Sequence, residues 1–176
     1  MSTARGRAAR PIHPHVLVTD ADVAGAVAAA GAPHAAPLLA DLAAAATGAL
    51  ADAMDRLDVA SDVQVSLVLS DDAHLHELNR AYRGYDKPTD VLSFRAEADG
   101  WPGEADDGPM LGDIVISVAY AARSAAARGA PVEDELRLLA VHGLLHLLGH
   151  DDADDAGAEA MRREEVRLGV RADDDG

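Results

Sequence analysis

Between residues 37 and 57 the apolar side chains Leu38, Leu39, Leu42, Ala45, Ala46, Ala49, Leu50, Ala53 and Leu57 return at the spacing that places them along one stripe of an α-helix. The period then changes. Val63, Val65, Leu67 and Leu69 alternate with their neighbours, so residues 62–69 predict a half-buried strand. Ser70, Asp71 and Asp72 follow with side chains suited to an N-cap, and Leu75, Leu78 and Tyr82 resume helical spacing. One strand therefore feeds one helix.

Beyond that helix a polar loop leads into a short strand ending near Phe94; Gly84 permits a tight turn and Pro88 biases Lys87 toward extended backbone. Residues 96–110, rich in glycine, proline and acid, read as a flexible excursion. Residues 111–117 form a further strand, and an alanine-rich helix occupies residues 118–128. Pro131 opens a helix that runs to Leu148, with Glu133, Asp134 and Glu135 in its first turn, where negative charge suits the helix dipole. A last amphipathic helix spans residues 155–168. The expected organisation is a disordered arm over residues 1–15, one compact domain over residues 16–170 and an acidic tail over residues 171–176. The fold class is α/β (α+β): a small mixed β-sheet packed with about five helices, one of them a zincin-like metal helix.

Composition limits the chemistry. A chain of 176 residues that is 49% hydrophobic holds enough apolar material for one core. The absence of cysteine excludes a disulfide framework, thiolate metal ligands and a cysteine nucleophile. No apolar run reaches the ~18 residues of a membrane span, and the opening residues lack the apolar core of a secretory signal, so a cytoplasmic protein with no membrane partner is expected. The net charge of −16 opposes a broad nucleic-acid surface. The acid is clustered, however, and Arg80, Arg83, Lys87 and Arg95 fall close together, which leaves room for a local phosphate-binding patch.

The chemistry points to the helix opened by Pro131. His142 and His146 stand at i and i+4, about 5–6 Å apart at Cβ, close enough to share one ion. Gly149 can end the helix in a left-handed conformation and turn the following side chains, His150, Asp151 and Asp152, back toward the pair. The bland alternative is two core histidines on a leucine-rich helix, each needing its own partner. A metalloprotease would carry glutamate directly after the first histidine as its general base, and Gly143 stands there instead.

Three ordered motifs resemble the YbeY family of bacterial endoribonucleases. They are Leu78-Asn79-x-x-Tyr82-Arg83-Gly84-x-Asp86-Lys87-Pro88-Thr89-Asp90-Val91-Leu92-Ser93-Phe94, Leu111-Gly112-Asp113-Ile114-x-Ile116-Ser117, and His142-Gly143-x-Leu145-His146-Leu147-x-Gly149. The resemblance implies a zinc-dependent endoribonuclease specific for single strands. It would mature the 3′ end of small-subunit rRNA, take part in ribosome quality control, and have RNA and the ribosome or its small subunit as partners. It also implies one Zn2+ per chain on three histidines, of which His142 and His146 are present. The family's tyrosine position holds His150, and its third histidine position holds Asp152. The chain needs room to reverse after Gly149, which favours Asp152 as third ligand, with His150 the alternative if the turn winds one step tighter. An anionic ligand would make the ion a weaker Lewis acid and leaves other divalent metals open. Arg83 matches a family arginine associated with RNA handling and is expected to pair with phosphate, with Lys87 as a nearby point charge. Asp151 is a general-base candidate by proximity in sequence. A non-catalytic ribosome-associated assembly factor is the rival reading, and a metalloprotease the more remote one.

Overall fold

A computed structural model describes residues 11–32, 34–97 and 108–172. Among them, a four-stranded mixed sheet has the order β1-β2-β4-β3, with β1 at Ile12–Val16, β2 at Gln64–Ser70, β3 at Val91–Arg95 and β4 at Met110–Ser117. β1, β2 and β4 run parallel, and β3 is antiparallel to β4. Six α-helices accompany the sheet among the described residues: α1 (Asp20–Ala29), α2 (Leu39–Arg56), α3 (Asp72–Leu78), α4 (Val118–Ala127), α5 (Val132–Leu147) and α6 (Asp155–Arg167). A π-helical turn, Asn79–Arg83, continues α3. No helix among the described residues is long and apolar enough to cross a membrane.

Side-chain alternation divides the sheet into two unequal faces. Val65, Leu67 and Leu69 of β2 and Ile114 and Ile116 of β4 are buried in the main core together with Leu42, Leu50 and Met54 of α2 and Leu136, Leu144 and Leu145 of α5. The opposite face carries a smaller cluster of Leu75, Leu92 and Val115, with Val68, Leu78 and Phe94 packed partly buried against it. β2 is buried on both sides, Ser66 and Ser70 included, and so is more than the half-buried strand its alternation predicts.

The arm expected over residues 1–15 is corrected at its end, because Ile12 to Val16 pair in register with Val65 to Leu69. Pro14 and two histidines disguise this strand, but proline is tolerated at a sheet edge, where its missing N–H interrupts no second ladder. Residues 1–10 lie outside the described residues. The expected helix count is exceeded by α1, whose alanine-rich sequence shows little contrast between faces. Val23 and Val27 are its buried residues, and Thr19 and Asp22 form its capping box. Of the excursion expected over residues 96–110, residues 98–107 lie outside the described residues. At its far end Gly108 and Pro109 are fixed by Gln64, whose side-chain amide donates to the Gly108 carbonyl and whose backbone N–H donates to that of Pro109. Of the acidic tail, residues 173–176 lie outside the described residues, and Arg171 is folded against Glu165.

Ser117, at the end of β4, joins α3, α4 and the loop before β3. Its backbone N–H donates to the Asp90 carbonyl, its hydroxyl donates to Asp72 Oδ1 at 2.6 Å, and the hydroxyl oxygen accepts from Tyr120 N–H as the N-cap of α4. Partial burial alone would push the Asp72 carboxyl up, but hydrogen bonds from Arg123 and Ser117 and the Arg123 charge outweigh it and hold the group below the ordinary Asp value. Ser117→Ala is expected to lower stability by about 1–2 kcal/mol in urea denaturation, since it removes a cap and a buried hydroxyl bond. The Asp72 side chain is 38% exposed, so solvent screening limits its ion pair to under about 1 kcal/mol. With the folded value below the unfolded one, that contribution is full above the ordinary Asp range and is lost as pH falls through the folded value. The stabilities of the parent and Asp72→Asn should therefore differ at neutral pH and converge in acid. A difference that is the same at both pH values would contradict the assignment.

Candidate metal centre

Helix α5 brings His142 and His146 one turn apart, with ring centroids 4.7 Å apart and an angle of 78° between the rings. Its C-terminus closes as the glycine position predicts. Gly149 has φ +103°, its N–H donates to the His146 carbonyl, and the His150 N–H donates to the Leu145 carbonyl, the paired bonds of a Schellman turn. From β3, Arg95 Nη2 donates to the same His146 carbonyl at 3.2 Å. The reversed chain returns the His150 carbonyl to His146 and presents Asp152 to both rings.

The partners of the two Nδ1 atoms determine what the Nε2 atoms can do. His142 Nδ1 lies 2.7 Å from Glu165 Oε1, and His146 Nδ1 lies 3.1 Å from the His150 carbonyl oxygen. A carboxylate and a carbonyl can only accept here, so both Nδ1 atoms donate, and a neutral imidazole then presents a lone pair at Nε2. Those Nε2 atoms are 3.1 Å apart. Asp152 places Oδ2 at 3.6 Å from the first and Oδ1 at 3.7 Å from the second. Only a proton or a cation can stabilise such a meeting of acceptors. One ligand atom from each of His142, His146 and Asp152 lies within 4.8 Å of the others, a group that could hold a metal ion. Two imidazoles and a carboxylate suit a divalent transition metal with a coordination position left for water or substrate.

Charge in the surroundings acts differently on the two rings. Burial would push His142 down, but the Glu165 hydrogen bond, with the charges of Glu165, Asp152 and Asp90, outweighs it and raises the group above the ordinary histidine value. His146 is lowered, first by burial and then by the charge of His142, with Arg83 adding to the effect against Asp152 and the His150 carbonyl.

Glu165 was not singled out by the sequence. Its side chain is 2% exposed on α6, and its second oxygen accepts from Arg171 Nε at 2.6 Å. Burial alone would raise its carboxyl, but the His142 and Arg171 hydrogen bonds and charges keep it below the ordinary Glu value. The available signal was its position one turn after the buried Met161 of α6 and three residues before the buried Leu168 that follows the helix, since a buried carboxylate requires a partner.

The remaining sequence candidates separate. His150 contributes its backbone carbonyl to the site. Glu164 of α6 pairs with Arg167, whose hydrogen bond is the first cause holding it below the ordinary Glu value. Asp151 is exposed, and its Oδ1 accepts from Ala153 N–H within the turn. Arg83 ends the π-helical turn, and its charge reaches His146. Lys87 sits farther along the loop with its ammonium 5.4 Å from the Tyr85 ring centroid, and its carbonyl accepts from the buried Asn79 side chain at 2.9 Å. Gly143 faces the sheet: a Cβ there would come 2.7 Å from Ile114 Cγ2 and 3.0 Å from Ser93 Oγ. The position occupied by the base of a metalloprotease is therefore closed by packing.

The sequence matches the family model described as Endoribonuclease YbeY over residues 36–171. A protein of Moorella thermoacetica named Endoribonuclease YbeY is 52% identical over 118 residues, covering 64% of this chain and 76% of the relative. A relative of the same name from Roseiflexus castenholzii is 45% identical over 127 residues, covering 69% and 79% respectively. A Thermotoga maritima protein solved in solution is similar over 94% of this chain and 98% of that chain, with 20% identity and a TM-score of 0.46.

Two outcomes are expected from the packing and hydrogen bonding around α5. Gly143→Ala should cost about 1–3 kcal/mol through overpacking against Ile114, measured by chemical denaturation. Glu165→Gln should weaken metal affinity about 10–100-fold by isothermal titration, since a carboxylate partner fixes the ring and raises the basicity of the ligand nitrogen. An unchanged affinity would show that Glu165 serves packing alone.

Proposed function

The chain belongs to the YbeY endoribonuclease family, and from that premise we propose that it is a metal-dependent endoribonuclease that cleaves single-stranded RNA. In this reading it acts in the cytoplasm on the 3′ end of small-subunit rRNA and in ribosome quality control, with the ribosome or its small subunit as partner. The proposal rests on the convergence of two imidazole nitrogens and a carboxylate at one point.

His142, His146 and Asp152 would hold one divalent ion, zinc in our proposal, as a two-histidine, one-carboxylate set. When bound, the ion supplies Lewis acidity toward the phosphodiester and toward water. The chain's own residues supply the rest. Glu165 holds His142 in the tautomer that offers Nε2, and the His150 carbonyl does the same for His146. Arg83, with its planar fork of donors, pairs with a phosphate oxygen next to the site, and Lys87 adds a compact charge along the approach. Asp151 is a turn residue in this reading, because one carboxylate oxygen is committed to Ala153. A carboxylate in place of a third neutral imidazole lowers the charge of the site by one, so the ion should be a milder electrophile than on three histidines.

Elemental analysis of untagged protein should find near-stoichiometric metal in the parent and in His150→Ala, and little in Asp152→Ala. Loss of metal in His150→Ala with retention in Asp152→Ala would reverse the ligand assignment. Arg83→Glu should keep its metal and lose at least about tenfold in cleavage of an unstructured RNA, as expected when an attractive phosphate contact becomes repulsive. Cleavage at the parent rate would remove Arg83 from the mechanism.

A further inference from the structure

The sheet face opposite α2 and α5 is not fully covered. α3 closes one part of it through Leu75 and Leu78, and beside it lies an open cleft of about 500 Å3. Its apolar wall includes Val68, Val115, Leu78 and Phe94, and its polar members are His15, His74 and Asp113. Tyr82 stands at the margin, 71% exposed, and meets Phe94 edge-on with centroids 5.4 Å apart. An aromatic side chain so exposed beside an apolar cleft presents a π-surface to solvent.

The cleft and the metal centre lie on opposite sides of β3, and the turn that ends in Arg83 borders the cleft through Tyr82. Tyr82 and Arg83 are consecutive residues of one π-helical turn, and the Arg83 charge reaches His146. β3 is an edge strand that separates the two regions. Its Ser93 and Arg95 side chains bond to α5, while Leu92 and Phe94 face the cleft side. A polyanion whose phosphate rests on Arg83 can therefore cross this edge with its backbone at the turn and a neighbouring base over the cleft.

Resting on the endoribonuclease reading, we propose that this cleft is a nucleobase-binding subsite in which an unstacked base of the RNA substrate packs on Tyr82 and Phe94 next to the phosphate held by Arg83. Planar bases stack on aromatic faces with little regard to sequence, and an apolar cleft with a few polar groups on its walls matches a base better than it matches a phosphate. A base held in a duplex is paired and stacked and cannot enter. The subsite thus provides a physical basis for single-strand preference that the metal ligands alone do not supply.

The test is fluorescence anisotropy with the full chain, using a labelled unstructured RNA of mixed sequence and the same RNA annealed to its complement. The parent should bind the single strand more tightly than the duplex. Tyr82→Ala should lose about tenfold in affinity for the single strand, most of the discrimination against duplex and none of its metal, and Tyr82→Phe should restore binding. Phe94→Ala provides an independent second removal from the same surface. Parent-like binding by Tyr82→Ala would overturn the subsite and leave the endoribonuclease reading standing, as would failure of Tyr82→Phe to restore it. A parent that binds neither RNA would sink that reading and the subsite with it.

Discussion

Two imidazole nitrogens cannot sit 3.1 Å apart, each with its other nitrogen already donating, unless something positive lies between or beside them. This constraint organises the functional side of the molecule. Glu165 removes the tautomeric freedom of His142 from one side, and the His150 carbonyl removes that of His146 from another. Asp152 then adds negative charge in front of both rings. The arrangement presents acceptors to one point, the electrostatic requirement for holding a cation.

The fold meets that requirement through close packing behind the helix and a tight turn at its end. Gly143 lets α5 approach Ile114 and Ser93, and the Ser93 hydroxyl donates to the Gly143 carbonyl at 3.1 Å. The Schellman turn at Gly149 sends the chain back across the histidine face, and Asp154 caps α6 by accepting from Gly157 N–H. α6 can then deliver Glu165 to the first histidine. Arg95 reaches the His146 carbonyl from β3, so the edge strand brings a positive charge to the end of α5 in a chain that is strongly acidic as a whole.

Much of this was legible in the sequence, because most of the signals are local. The periods over α2, β2, α5 and α6 identify those elements, and the i, i+4 histidines followed by Gly149 identify the helix of the candidate site and its turn. The third ligand was less legible, since His150 and Asp152 both follow the turn. The turn directs the His150 carbonyl onto His146, and Asp152 joins the two histidines in a group that could hold a metal ion. Glu165 was missed because its bond to His142 spans 23 positions between two helices, and no local pattern reports such a contact. β1 was missed because Pro14, His13 and His15 hide a strand whose partner lies about fifty residues away in β2. The exposed Tyr82 fits a helical spacing with Leu75 and Leu78, yet the π-helical turn rotates it away from the core that those leucines enter.

Zinc-edge X-ray absorption on the metal-loaded, untagged protein would count the imidazole and oxygen donors around the ion. Two imidazoles with oxygen donors completing the set are expected, with loss of one oxygen contribution or of the bound metal in Asp152→Ala. Three imidazoles around the ion, with Asp152→Ala unchanged, would contradict that ligand set and make His150 the third ligand.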